Sequence, residues 1–390
     1  MARYQMVLGR AVCSACAKGF GETSPKPPND PGGGGAKTSK PIAPFRHFQK
    51  NQALFRSHES WAILTSVKFS DDELLSLVRQ HDYRAVSRLI SLSENRSPRA
   101  RPLQAQLFND KRSGPRARII GVTGSPGAGK STLVDQIAAL LRKEGKRVAI
   151  IAVDPTSPFT GGAILGDRIR MVKASEDDGV FIRSMATRGA LGGVSRATID
   201  AVHVLDAAGF DFVLIETVGV GQAEVDIVRL ADTCLVVLVP GMGDSVQAMK
   251  AGILEIADLF LINKSDRDGA DLVFRDLRLL LSVTDHGPED WIPPIIKTVA
   301  VNGEGTPEVL TEMAKHAEWL SNSPQGRSRR QRIMEDTLLK LVTEEIRERA
   351  LSEAQAKLSQ LAAECCERRL DPYTAAAQLA AQLGFSWAET

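Results

Sequence analysis

Cysteine, long apolar runs and net charge are all scarce in this 390-residue chain. Its five cysteines fall as Cys13 and Cys16 near the start, Cys234 in a strand-like run, and the adjacent Cys365 and Cys366. That distribution makes a poor disulfide framework and fits a reducing compartment. Cys13-Ser-Ala-Cys16 has no second pair nearby to complete a metal site. No apolar stretch approaches the roughly 20 residues needed to span a bilayer, and the runs that occur are short, such as Cys234-Leu-Val-Val-Leu-Val239. A soluble protein without a membrane partner is expected. A formal charge of +2, from 49 basic and 47 acidic residues, leaves no overall field to recruit nucleic acid or anionic lipid. Partners therefore have to be argued from sites. The 43% hydrophobic content suits a sizeable core, and the length suits two or three domains.

The first residues, 1–65, differ from the rest. Arg3, Arg10 and Lys18 precede the first acid, Glu22, and Pro25-Lys-Pro-Pro-Asn-Asp-Pro-Gly-Gly-Gly-Gly35 holds too little apolar surface to fold. This leader reads as disordered. It resembles a mitochondrial transit peptide, which would place the protein in the mitochondrial matrix; the other reading is a tail on a cytoplasmic protein. From Ser70, a capping serine, three acids and an apolar period predict a small helical segment over 66–112. From 113 to 322, short β-branched runs alternate with longer amphipathic ones, which predicts an α/β fold with a mostly parallel sheet flanked by helices. The expected strands are 118–123, 147–153, 180–184, 211–216, 233–239, 258–262 and 294–299. In 323–390 the strands stop. A basic link, 326–332, leads to helices expected at 333–350, 352–369 and 372–383. Leu338, Leu341, Val342 and Ile346 share one helical face, to be covered by the chain's own domain or by a second copy.

Gly124-Ser125-Pro126-Gly127-Ala128-Gly129-Lys130-Ser131, with Thr132 behind it, lies between a predicted strand and a predicted helix and matches the Walker A pattern. Its glycines let backbone N–H groups wrap phosphate oxygens, Lys130 reaches the terminal phosphates, and the Ser131 hydroxyl binds magnesium. The following helix aims its positive N-terminus at the same anions. A P-loop NTPase is the reading.

The base is indicated by Asn263-Lys264-Ser265-Asp266 at the end of an apolar strand. A carboxylate at Asp266 can accept from guanine N1–H and from its exocyclic amine together, whereas adenine offers an acceptor at N1 and no amine at C2. GTP and GDP are the expected ligands. Asn263 would brace the loop, Lys264 would lie along the base, and Val299 and Ala300 can add a backbone N–H to the guanine carbonyl. Between these motifs, Glu216 ends a strand at the Walker B position, where a carboxylate holds Mg2+, and Gly219 can donate to the γ-phosphate. Residues 217–228 are the expected second switch. The first is expected between strands two and three, where Asp154 and Asp167 can serve Mg2+ or orient water. Asp154 can equally cap a helix before Pro155, and Asp167 can pair with Arg168 or Arg170.

With Asp154-Pro-Thr-Ser157, Gly161-Gly-Ala-Ile-Leu-Gly-Asp-Arg168, Glu216-Thr-Val-Gly-Val-Gly-Gln222 and Asn263-Lys-Ser-Asp266 following the phosphate loop in that order, the chain resembles the methylmalonyl-CoA mutase-associated GTPases from about Asp71 onward. The resemblance implies a GTP-hydrolysing chaperone that gates adenosylcobalamin loading and protects or reactivates methylmalonyl-CoA mutase, and a homodimer formed through the C-terminal helical arm. It also implies catalytic roles for Lys130, Asp154, Asp167 and Glu216, and a Mg2+ centre of Ser131, Asp154, Asp167 and Glu216. Two other readings are a metallochaperone GTPase and an ATPase or kinase-like component of basic amino-acid transport. Against the first, the only cysteine or histidine between Asp154 and Gln222 is His203. Asn263-Lys-Ser-Asp266 argues against the second.

Overall fold

In a computed structural model of the chain, the described residues are 69–109, 115–154, 177–186, 196–217, 230–241, 256–285, 287 and 289–385, with Asp154 and Ala186 described in backbone only. They belong to one compact unit, Lys68–Thr390. The β-branched runs form seven strands, β1 Arg118–Gly124, β2 Val148–Asp154, β3 Val180–Ala186, β4 Phe212–Thr217, β5 Thr233–Leu238, β6 Leu259–Asn263 and β7 Ile295–Thr298. They make one sheet in the order β3-β2-β4-β1-β5-β6-β7, every pairing parallel. Parallel neighbours require crossovers, and the crossover helices bury both faces. That is why β4, β5 and β6 are buried along their whole length, while the edge strand β7 alternates.

The two faces are readable residue by residue. Ala149, Ile151, Val153, Val213, Ile215 and Cys234 point to one side, into a cluster with three N-terminal helices and the helix after β3. These helices are α1 Asp71–Arg79, α2 Tyr83–Glu94, α3 Ala100–Asn109 and α5 Arg196–Ala207. Ile120, Val122, Ile150, Leu214, Leu235 and Leu261 point to the other side, against α4 Lys130–Lys143 and α7 Thr306–Asn322. Near the β7 edge, Val236, Leu238, Phe260 and Ile262 pack on α6 Ala270–Val283. The expected capping serine is realised as a full capping box, with Ser70 Oγ accepting from Glu73 N and the Glu73 carboxylate accepting from Ser70 N.

Beyond the sheet, α8 Pro324–Ser352, α9 Gln355–Cys366 and α10 Pro372–Gln382 complete the described chain. The basic stretch 326–332, expected as a link, is instead the opening of α8. Pro324 stands at the first turn and Ser323 Oγ accepts from Gly326 N at 2.9 Å, a start signal that outweighs the run of like charges. Only Gly326 and Thr337 of α8 are buried. Its distal half meets the N-terminal helices and α5 through ion pairs, Arg96 with Glu348 at 2.9 Å and Glu345 with both Arg101 and Arg196. Leu338, Leu339 and Val342 remain exposed.

A buried polar node fixes the root of α8 to the sheet. Arg329 forks onto both carboxylate oxygens of Asp258, and Asp258 Oδ2 also accepts from Cys234 N at 2.7 Å. His316 Nδ1 shares a proton with Thr233 Oγ1 at 2.8 Å, and its Nε2 stands 3.4 Å from Asp258. Trp291 and Trp319 enclose the imidazole at centroid distances of 4.8 and 5.5 Å.

Candidate functional site

The loops that carry chemistry leave the carboxyl ends of the central strands, where ligands of open parallel sheets bind. β1 runs into Gly124, whose φ of +139° suits glycine, and a Cβ built there would lie 2.1 Å from Val237 O. The loop therefore turns hard against β5. Pro126 and Gly127 are exposed at its tip, Ala128 is buried, and Ser131 and Thr132 sit half-buried in the first turn of α4. Gly129, at φ +90°, caps α4 without a side chain, and a Cβ there would meet Asn263 Nδ2 at 2.4 Å. The N-terminal amides and dipole of this 14-residue helix open toward the loop.

Lys130 is 5% exposed, and its ammonium donates to Gly124 O at 2.6 Å and Ser125 O at 3.1 Å. Ser131 Oγ donates to Glu216 Oε1 at 2.6 Å. Glu216 is itself buried at 5% exposure. The Walker A hydroxyl and the strand-end acid, 85 residues apart in sequence, are thus in direct contact.

The base-reading segment is wired to the phosphate loop. Asn263 Nδ2 donates to Ala128 O at 2.7 Å, while its Oδ1 accepts from Ala300 N at 3.0 Å and Thr298 Oγ1 at 3.3 Å. Lys264 takes a left-handed φ of 57° and lays its side chain over the loop, donating to Gly127 O at 2.7 Å. Ser265 ties to Thr298 O through both its amide and its hydroxyl. Asp266 is exposed just beyond.

One expectation needs correction. Val299 N donates to Glu304 O at 3.0 Å and Ala300 N to Asn263 Oδ1 at 3.0 Å. Both amides are committed within the protein, so neither is presented to a guanine carbonyl here. Asp154 ends β2, two strands from the phosphate loop, and its side chain lies outside the described residues. Asp167, Gly219, Arg168, and the first switch and the second beyond Thr217 also lie outside them. His203 sits on α5 with its ring 5.7 Å from that of Phe108, and burial lowers its pKa. Among the described residues no group of three His, Cys, Asp or Glu side chains is placed to hold a metal ion.

The sequence reading gave Thr123 no role and Thr217 only a place at the start of the expected second switch. Both are 0% exposed, Thr123 next to last in β1 and Thr217 last in β4, with Thr217 Oγ1 donating to Thr123 Oγ1 at 3.2 Å.

Comparisons with known proteins give the chain its family. The family model described as methylmalonyl Co-A mutase-associated GTPase MeaB matches residues 86–355. A putative GTPase of Pyrococcus horikoshii is 48% identical over 310 residues, covering 78% of this chain and 96% of that protein. The GTPase ArgK of Escherichia coli is 36% identical over 279 residues, covering 70% and 84%. The mouse protein named methylmalonic aciduria type A homolog, mitochondrial, is 37% identical over 232 residues, 59% of this chain and 56% of that one. Among solved structures, one titled as the LAO/AO transport system kinase superposes with a TM-score of 0.61 at 27% identity, covering 82% of this chain and all of that one.

Proposed function

The chain belongs to the methylmalonyl Co-A mutase-associated GTPase family, and from that premise we propose that its GTPase cycle gates adenosylcobalamin loading onto methylmalonyl-CoA mutase and protects or reactivates that enzyme. The reaction is hydrolysis of GTP to GDP and phosphate. The observation that carries the chemistry is the junction of three elements at one place: the Lys130 loop, the Ser131–Glu216 contact and the Asn263 brace. The client is supported by the family description and by the name of the mouse relative.

In this reading, polyphosphate oxygens replace the carbonyls of Gly124 and Ser125 around Lys130, and the α4 amides bind the same anions. Asp266 selects guanine while Lys264 lies along the ring. The donor set at the loop's root, a hydroxyl and a carboxylate, is the hard oxygen chemistry that Mg2+ takes. Ser131 and Glu216 would hold the ion, with Asp154 and Asp167 as further proposed carboxylates. When bound, the ion neutralises charge on the β- and γ-phosphates. Ser131 donates its hydroxyl proton to Glu216 and keeps its oxygen lone pairs for the ion, so the two roles are compatible.

The exposed Leu338, Leu339 and Val342 on α8 support a homodimer through the C-terminal arm. The acid-poor basic start and the mitochondrial mouse relative support the mitochondrial matrix as the compartment. The test is to mix the purified chain with methylmalonyl-CoA mutase in the GDP, GTP and nucleotide-free states. Complex formation and nucleotide-dependent transfer of adenosylcobalamin are the expected results. Failure to associate in every state overturns the client assignment, and equal binding of GTP and ATP overturns the assignment of the base.

A further inference from the structure

The backbone register between β1 and β4 runs from Arg118 opposite Phe212 to Val122 opposite Glu216. Beyond it the last residues pair only on their other sides, Thr123 and Gly124 of β1 with Val236 and Val237 of β5, and Thr217 of β4 with Val153 of β2. Side-chain contacts join β4 to the β1 side there. Ser131, which follows β1, donates to Glu216 of β4. Thr217 donates to Thr123 at 3.2 Å, both residues being fully buried.

We infer that Thr217 and Thr123 are positioning residues: their hydroxyl pair clips the ends of β4 and β1 together and sets the reach of Glu216 to the Ser131 side of the magnesium centre. The inference rests on the GTPase reading of the site. Thr217 directly follows Glu216 and is the first residue of the expected second switch. A clip at this position holds the backbone of the acid before it. Neither hydroxyl touches nucleotide; both act through Glu216. Valine has nearly the shape of threonine, so replacement removes the bond without opening a cavity; the single variant takes this partner from the buried Thr123 hydroxyl, and the double variant removes that hydroxyl too.

The experiment compares wild type with Thr217→Val, Thr217→Ser and the Thr123→Val/Thr217→Val double variant. Two quantities are read: the Mg2+ concentration at half-maximal GTP hydrolysis, and GDP affinity by calorimetry in EDTA. For Thr217→Val the Mg2+ requirement should rise about five-fold, the equilibrium worth of one neutral hydrogen bond, while GDP affinity without metal stays within about two-fold. Thr217→Ser should restore the Mg2+ requirement. The double variant should match the single one, because both remove the same bond. An unchanged Mg2+ requirement in Thr217→Val overturns the inference. So does a Thr217→Ser variant as impaired as valine, or an equal loss of metal-free GDP affinity. A wild-type protein that does not hydrolyse GTP would instead sink the reading of the site, before any variant is compared.

Discussion

Replacing Arg329 by methionine should destabilise the protein in a way that depends on pH. Asp258 is 4% exposed and receives both prongs of the Arg329 guanidinium. Removing one partner of a buried pair costs roughly 3–5 kcal/mol because the other charge is left uncompensated. Here Cys234 N still donates to Asp258 at 2.7 Å and His316 Nε2 stays 3.4 Å away, so the lower end, about 3 kcal/mol, is expected at pH 7.5. The imidazole sets the pH dependence. Burial above all, then repulsion from Arg329 and Arg330, outweighs the pull of Asp258 and pushes the His316 pKa down to about 4 from the ordinary 6.5. The unfolded chain therefore binds a proton that the folded one refuses, and the wild type loses stability as pH falls from about 6.5 toward 4. By pH 5.5 this loss amounts to about 1 kcal/mol. In Arg329→Met the repulsion is gone and Asp258 remains, so His316 can take the proton and serve as the missing cation. The gap between variant and wild type should then narrow by about 1 kcal/mol between pH 7.5 and 5.5. Urea unfolding followed by tryptophan fluorescence reads this directly, because Trp291 and Trp319 flank the imidazole. A further His316→Gln replacement should leave the gap flat with pH. A gap that stays constant or widens on acidification with His316 present, or a cost below about 1 kcal/mol at pH 7.5, refutes the reasoning.

Three further outcomes are expected at the nucleotide site. Asp266→Ala should lower the preference for GDP over ADP by at least about a hundred-fold, since a reader built on paired hydrogen bonds loses its discrimination with them; calorimetry with both nucleotides measures the ratio. Lys130→Ala should cut the rate of phosphate release from GTP by about a hundred-fold or more, and a smaller effect would mean that the ammonium is not aimed at the reacting phosphates. Gly124→Ala should destabilise the fold by about 2 kcal/mol or more, because its Cβ would stand 2.1 Å from Val237 O at a φ of +139°; a thermal melt unchanged from wild type would show that β5 yields at that point.

The strands and the phosphate loop were legible because their signals are local. Apolar β-branched runs placed all seven strands within two residues of their observed ends, and the loop's glycines and lysine fall inside eight consecutive positions. Sheet order was not legible, since it depends on which crossover packs where. The Ser131–Glu216 contact was foreseeable only as two motifs serving one ion. The node of Asp258, His316, Thr233 and Arg329 was missed for a physical reason. Its members lie up to 96 residues apart, and Arg329 belongs to a run of charges that reads as a solvated link. A single buried cation in such a run carries no local mark. The same lack of a local mark hid the Thr123–Thr217 pair, because threonine is common in strands and its partner is 94 residues away.

The sheet order divides the labour within the site. The phosphate loop hangs from β1 and the guanine reader from β6, with only β5 between them, and Asn263 joins the two by bonding Ala128 O. On the proposed reading, base and phosphates are therefore gripped by one continuous block, β1-β5-β6-β7. The acid that meets Ser131 hangs from β4 on the other side of β1, and Asp154 ends β2 beyond it. Gripping a guanine nucleotide needs only the first block; assembling the carboxylates around a divalent ion needs both. Between the blocks the backbone ladder stops at Glu216, and beyond it the Thr217–Thr123 and Ser131–Glu216 contacts join the two. On the proposed reading, the contacts that hold the base do not pass through β4, whereas those that complete the metal centre do.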